Sequence, residues 1–480
     1  MDEHAFTLGI DVGTTSVKVV AVDGAGAVIA EAERDHPLST PRPGWTEQRP
    51  EDWWTGACEA TKALLTRLGR QPNAVGLSGQ MHGMVPLDAA GEVIRPAILW
   101  NDQRTGEAVR EIDAAIGRRT LIERGGNPAI TGFQLAKVVW LKRAEPDSFR
   151  RLARVLFPKD YLGFRLTGRA VAEPSDASGS NCFHLTEGAW DADVLSALDV
   201  PVELYPELVA SDAAAGTVTE AAAAATGLRV GTPVVAGAGD NAAAATGLGL
   251  SSREPAVGSV SLGTSGVLLA PTLRPAPDPE GRVHLFCHAD GGYYLLGVTL
   301  AAAGSLRWLR DTLFPDQDFA ELSALAETSR PGANGVVFQP YLAGERTPYM
   351  DPELRGAWRG LTLATDRADL IRAVLEGVAF SQRDSLEVMR PLTAPARLLA
   401  TGGGSRSHFW LQVLADALEL PLTQLAGAPG ASYGAALLAH RGMGQALKPR
   451  LEAVAEVEPR PDDAFRRAYA AYRALSPGSL

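Results

Sequence analysis

Leu8-Gly9-Ile10-Asp11-Val12-Gly13-Thr14-Thr15-Ser16-Val17-Lys18-Val19-Val20 reads as two β-rich runs joined by a turn of glycine and hydroxyl residues. Such a turn presents successive backbone N–H groups and Thr hydroxyls to an anion, and the carboxylate at its mouth, Asp11, can hold a hydrated Mg²⁺ against phosphate oxygens. The same grammar returns about halfway along the chain in Val260-Ser261-Leu262-Gly263-Thr264-Ser265-Gly266-Val267-Leu268-Leu269. Either hairpin alone has the composition of any tight turn. The pair points to two similar lobes, each offering a phosphate loop to one cleft.

A carboxylate stands at a third junction. The apolar, Gly-rich run Thr232 to Gly239 leads straight into Asp240 and Asn241 and then into Ala242 to Ala245. Where a buried strand turns into a helix, an Asp either caps the helix or points, partly desolvated, from a rigid element as a general base. A further Gly-rich loop, Gly402-Gly403-Gly404, follows the apolar run Leu398-Leu399-Ala400 and precedes a helical stretch from His408 to Leu418. Glycines there let backbone approach a flat or anionic ligand. The spacing fits neither the dinucleotide fingerprint nor a Walker loop.

Together these residues resemble a carbohydrate kinase of the FGGY family, over nearly the whole chain from the Asp11 turn to Gly434 in Gly427-Ala428-Pro429-Gly430-Ala431-Ser432-Tyr433-Gly434. Gly356-Ala357-Trp358-Arg359-Gly360-Leu361 with Asp369 to Glu376 matches the family's second signature. Lys137, Trp140 and Leu141 match the first, in which Gln134 replaces the usual Pro, Ser or Thr at a place apart from the proposed chemistry. Gln80-Met81-His82-Gly83, Trp100-Asn101-Asp102-Gln103-Arg104 and Pro158-Lys159-Asp160-Tyr161-Leu162 resemble the family's pentulose kinases rather than its glycerol kinases.

The resemblance implies duplicated α/β, ribonuclease-H-like (actin-like ATPase) lobes with an intervening active-site cleft. It implies phosphoryl transfer from ATP to the C5 hydroxyl of D-xylulose, with Asp240 as base, Asn241, Met81 and His82 on the sugar, and Asp11 serving Mg²⁺. The phosphates would meet Gly13-Thr14-Thr15 and Gly263-Thr264-Ser265, and Gly402 to Gly404 would flank the nucleoside. Asp102 either contacts sugar or forms an ion pair with Arg104 that supports the site. Two alternatives are another sugar or polyol kinase of the family, acting on ribulose, ribitol, gluconate or a deoxy sugar, and a non-enzymatic nucleotide switch on the same fold.

Composition sets the remaining bounds. A chain of 480 residues, 46% hydrophobic, buries a large core. The net charge of −11, from 45 basic and 56 acidic residues without a long basic run, argues against nucleic acid as a partner. Cys58, Cys182 and Cys287 lack paired or metal spacing and read as free thiols of a reducing compartment, and Met1-Asp2-Glu3-His4 is unlike a signal peptide, so a cytoplasmic enzyme is expected. The uncharged stretch 231–250 holds Asp240 and Asn241 at its centre, which excludes a membrane span. His284 and His288 imitate a metal pair but sit in a hairpin pattern. A monomer or a symmetric homodimer suits this size.

Alternating runs predict strands near Phe6 to Asp11, Val17 to Val22, Val28 to Glu33 and Ala74 to Ser78, and helices over 51–68, 106–116 and 135–143. Strands near Gly258 to Leu262, Val267 to Ala270 and Tyr293 to Val298, with helices over 302–313 and 369–389, repeat the plan. The expected division is an N-terminal sugar-binding and catalytic lobe over 1–246, a nucleotide-binding lobe over 256–445 and a helical extension over 446–480, with the polar segment Ser251 to Pro255 as the connection.

Overall fold

The computed structural model describes residues 5–427, 429–460 and 462–477. The opening Met1 to His4, Ala428 of the last family segment, Pro461 and the final three residues of the expected extension lie outside the described residues. The chain forms two compact units: one from the described residues of 1–251, 286–293 and 429–450, the other from those of 252–285, 294–428 and 451–480.

The first unit is built on β1 (Phe6–Val12), β2 (Ser16–Asp23), β3 (Val28–Asp35), β4 (Ala74–Gly79), β5 (Ala214–Thr217) and β6 (Pro233–Gly239), in the sheet order β5-β6-β4-β1-β2-β3. β1 pairs antiparallel with β2 and parallel with β4, which pairs parallel with β6. Phe6, Leu8, Ile10 and Val12 alternate along β1 into a core with Trp53 and Leu64 from helix Pro50–Leu68. The opposite face is kept bare. A Cβ on Gly9 would lie 1.8 Å from the Ser432 carbonyl oxygen and one on Gly76 1.9 Å from that of Ala435, so helix Ala431–Gly442 rests directly on the sheet.

A second sheet repeats the plan with β7 (Val257–Leu262), β8 (Gly266–Thr272), β9 (His284–Cys287), β10 (Tyr293–Thr299), β11 (Arg397–Thr401), β12 (Leu422–Leu425) and β13 (Ala453–Val457). Their order is β9-β10-β8-β7-β11-β12-β13. β7 pairs antiparallel with β8 and parallel with β11, β11 parallel with β12, and β12 antiparallel with β13. The hairpin followed by parallel neighbours is thus the same in both units. β13 and helix Asp463–Leu475 both come from the segment expected as a helical extension. No helix among the described residues is long and apolar enough to cross a membrane. The uncharged stretch 231–250 is instead β6 and helix Asp240–Gly247.

Candidate active site

Asp240 owes its place to a bulge. The β6 to β4 register shifts between Val235 and Ala238, where Gly237 takes φ +76° and a Cβ would sit 1.7 Å from the Leu77 carbonyl oxygen. Only glycine fits this left-handed, close-packed position, and the bulge re-aims the strand end at which Asp240 begins the helix. The N-cap is Gly239, so Asp240 does not cap the helix in the usual way. Its Oδ1 accepts from the Asn241 N–H at 2.7 Å and from Asn241 Nδ2 at 2.9 Å, and Oδ2 has no hydrogen-bond partner among the described residues. Burial first, and the neighbouring Asp11 charge second, push this carboxyl up to about 7. It therefore ionises near neutral pH, where a general base is most effective.

Asp11 is the penultimate residue of β1, opposite Lys18 across the hairpin and beside Ser78 on β4. Burial raises it to about 6, and Oδ1 is buried with no hydrogen-bond partner. In the turn that follows, the Gly13 carbonyl accepts from His36 Nε2 and the Thr14 carbonyl from Gln48 Nε2, while the Thr14 hydroxyl donates to Gln80. The turn is held from behind, and the N–H groups of Thr14 and Thr15 have no partner among the described residues.

Met81, Asn241 and Asp240 meet directly. Asn241 Nδ2 lies 3.7 Å from Met81 Sδ, and a Cβ on Gly239 would come within 2.8 Å of Met81 Cγ. His82 adopts φ +68°, a strained conformation for a non-glycine residue that the surroundings must enforce. Its ring stacks on Phe133 at 4.4 Å and donates from Nδ1 to the Gly179 carbonyl at 2.8 Å. Lys137, buried and lowered to about 7 by that burial, donates to the carbonyls of His82 and Gly132. Gln134 is not apart from this region: it donates to the Gly83 carbonyl at 3.0 Å, next to His82.

Asp102 is not among these. It is fully buried, Oδ1 accepting from the backbone N–H and Nε of Arg104, and Oδ2 from the Thr46 N–H and Arg104 Nη2. Four donors occupy the four lone pairs of this carboxylate. Arg104 is in turn stacked 3.8 Å over the Trp45 ring.

Sequence reading missed what stands behind Gly239. The Gly239 N–H donates to Ser175 Oγ at 3.0 Å, and Ser175 donates to Glu173. Glu173 and Asp176 surround Lys159 at 3.4 and 3.6 Å, and Lys159 is also bonded to Asp160. Burial raises Asp176 well above the ordinary carboxyl range. Lys159 and Asp160 carried a resemblance but no signal of this cluster, since Glu173 and Asp176 are remote in sequence.

In the second unit the Gly263 carbonyl accepts from the Ala303 N–H at 2.8 Å and that of Thr264 from Ala302 and Gly304, while the Thr264 and Ser265 N–H groups have no partner among the described residues. Ala303 also lines a cavity of about 610 Å³ whose wall includes Leu306, Phe319, Gly403, Gly404 and Phe409. A largely apolar-walled cavity of this size suits a nucleoside, and Ala303 joins its wall to the turn through the Gly263 carbonyl. Gly402 is not in the wall: at φ +87°, with a Cβ that would be 2.7 Å from Leu262 backbone, it lets the chain cross over β7.

Residues 6–247 fit the N-terminal domain, and residues 258–443 the C-terminal domain, of the FGGY family of carbohydrate kinases. The chain belongs to that family. It is 39% identical to the xylulose kinase of Escherichia coli (strain K12), covering 90% of this chain and 89% of that protein. To the xylulose kinase of Bacillus subtilis (strain 168) it is 38% identical, covering 92% and 88%. A crystal structure of a xyloylose kinase from Brucella ovis superposes with a TM-score of 0.92 at 38% identity, covering 98% of this chain and 99% of the other. The two-domain FGGY fold, with its repeated mixed sheet, is the duplicated architecture that the two hairpins predicted.

Proposed function

We propose that this FGGY kinase transfers the γ-phosphoryl group of ATP to the C5 hydroxyl of D-xylulose, giving D-xylulose 5-phosphate and ADP. The observation that carries the chemistry is Asp240: a carboxyl held near neutrality, with one oxygen engaged by Asn241 and the other, Oδ2, unpartnered among the described residues. Asp240 Oδ2 takes the proton of the hydroxyl while that oxygen bonds to phosphorus and the bond to the ADP oxygen breaks. Asn241 and Met81 fix the approach of the sugar, and His82, held by Phe133 and Gly179, contacts a sugar hydroxyl. Asp102 serves the site through the Arg104 pair instead of touching sugar.

The residues present fit a divalent cation: Asp11 Oδ1 is a buried carboxylate oxygen without a hydrogen bond, beside a turn suited to phosphate. Mg²⁺ bound there would neutralise charge on the phosphate oxygens. The Gly13-Thr14-Thr15 and Gly263-Thr264-Ser265 amides receive the remaining charge, and fixed donors of this kind supply more of the rate than the base does. Gly403 and Gly404 flank the nucleoside in the cavity. ATP as the donor accords with a cytoplasmic place of action. Incubation with ATP, Mg²⁺ and D-xylulose, followed by detection of the phosphorylated sugar, tests this reading.

A further inference from the structure

We propose that Arg346 of the second unit binds the phosphoryl group that is presented at the Gly263-Thr264-Ser265 turn. This deepens, and rests on, the phosphoryl-transfer reading. The loop that carries it is sewn to the end of β10: Thr347 N–H donates to the Val298 carbonyl at 2.9 Å, the Thr347 hydroxyl accepts from the Val298 N–H, and Glu345 Oε1 accepts from the Leu300 N–H at 2.8 Å. Thr299, between those two anchors, lies against the start of β8, where its Oγ1 would be 2.5 Å from a Cβ on Gly266. Two residues beyond Leu300, Ala302 donates to the Thr264 carbonyl. Arg346 is therefore bracketed by residues fixed to the strand end that borders this turn.

Its charge is unmatched. Glu345 accepts from Leu300, from the Arg346 N–H and from Ser381, and Asp384 from Tyr349, Tyr469 and Arg473. The Arg346 guanidinium makes no ion pair or side-chain hydrogen bond with a described residue, whereas Arg372 and Arg473 of the same unit each hold a carboxylate. Arg346 is half-buried, and that burial lowers it to about 10, so it stays a cation at neutral pH in a partly desolvated place. A desolvated cation without a counter-ion is costly unless an anion arrives, and the planar guanidinium fork matches phosphoryl oxygens. Those oxygens come from the terminal group of a nucleoside triphosphate before transfer or from the sugar phosphate after it.

Arg346→Gln and Arg346→Lys, made in the full chain, separate the possibilities. Binding of ADP, of a non-hydrolysable ATP analogue and of D-xylulose 5-phosphate is measured by calorimetry, with kcat and unliganded melting temperature alongside. In Arg346→Gln we expect a fall of roughly 10²- to 10³-fold in kcat, the scale for losing one transition-state donor. The analogue should weaken roughly tenfold or more while ADP changes little, as expected for losing a charge-assisted bond to the terminal group. Loss of the sugar phosphate instead would assign the product as the source of the oxygens. The unliganded melting temperature should hold or rise, and Arg346→Lys should fall between Arg346→Gln and the parent. Equal weakening of ADP and analogue together with a lower melting temperature, or unchanged binding of all three ligands, overturns the proposal. A parent protein that makes no sugar phosphate yet keeps the difference between analogue and ADP would refute the sugar-kinase reading and leave Arg346 standing. A parent that binds neither nucleotide refutes both.

Discussion

At the residue scale the site is a contrast between carboxylates that are satisfied and carboxylates that are not. Asp102, with four donors on two oxygens, is finished. Asp240 and Asp11 each keep an oxygen without a hydrogen-bond partner and are raised by burial to about 7 and about 6. Replacing Asp240 by Asn should lower turnover by roughly 10² or more while nucleotide binding persists, the scale for an acid–base group; near-normal steady-state turnover in pure protein would remove the assignment. In the parent, kcat should climb as pH rises through about 7. The same shift has a stability consequence. Asp240 is more easily protonated folded than unfolded, so its favourable contribution is complete below the unfolded value near 3.8 and disappears as pH rises through about 7. Asp240→Asn should therefore gain stability over the parent at pH 8 and lose that advantage near pH 4, read from urea midpoints at both pH values. Asp11→Ala should raise the Mg²⁺ needed for half-maximal rate and be partly rescued by excess Mg²⁺. A defect in sugar KM alone, with an unaltered Mg²⁺ response, counts against that role.

At the element scale, glycines decide where helices can lie. A Cβ on Gly434 would stand 1.7 Å from the Ala243 carbonyl oxygen, in the very helix that begins with Asp240. Gly434→Ala must push that helix aside, and should cost about 1 to 3 kcal/mol in denaturant unfolding, as overpacking does, and reduce activity with it; an unaffected midpoint would contradict the close packing. These contacts also explain what the sequence made legible. Both phosphate hairpins, the strand-to-helix junction at Asp240 and helices such as Pro50–Leu68 and His408–Leu418 follow from local composition and periodicity. The Gly237 bulge, the docking of Ala431–Gly442 on β1 and β4, the Lys159 cluster behind Gly239 and the cavity wall at Phe319 and Phe409 join residues far apart in the chain. No local pattern encodes those meetings. Gln134 shows the same limit: its departure from the family pattern looked remote, yet it bonds the carbonyl next to His82.

At the scale of the whole molecule, one sheet plan is used twice, and each copy offers a turn with N–H groups that have no partner among the described residues. On the proposed mechanism duplication supplies the phosphate sites, and the constellation Met81, His82, Asp240 and Asn241 on the first copy is what sets a sugar kinase apart from a nucleotide switch of similar build. Substrate choice rests on that constellation. His82→Ala should lower kcat/KM for D-xylulose by about 1 to 3 kcal/mol, the cost of leaving a polar partner unsatisfied, and spare the slow sugar-free hydrolysis of ATP; equal loss of both rates would show that His82 does not meet the sugar. The most direct measurement is ADP release, with mass detection of the sugar phosphate, over D-xylulose, ribulose, fructose, ribitol, gluconate and glycerol. D-xylulose should give the highest kcat/KM and yield the 5-phosphate. A higher efficiency for ribulose, gluconate or glycerol, or ATP turnover with no phosphorylated sugar from any acceptor, would contradict the account.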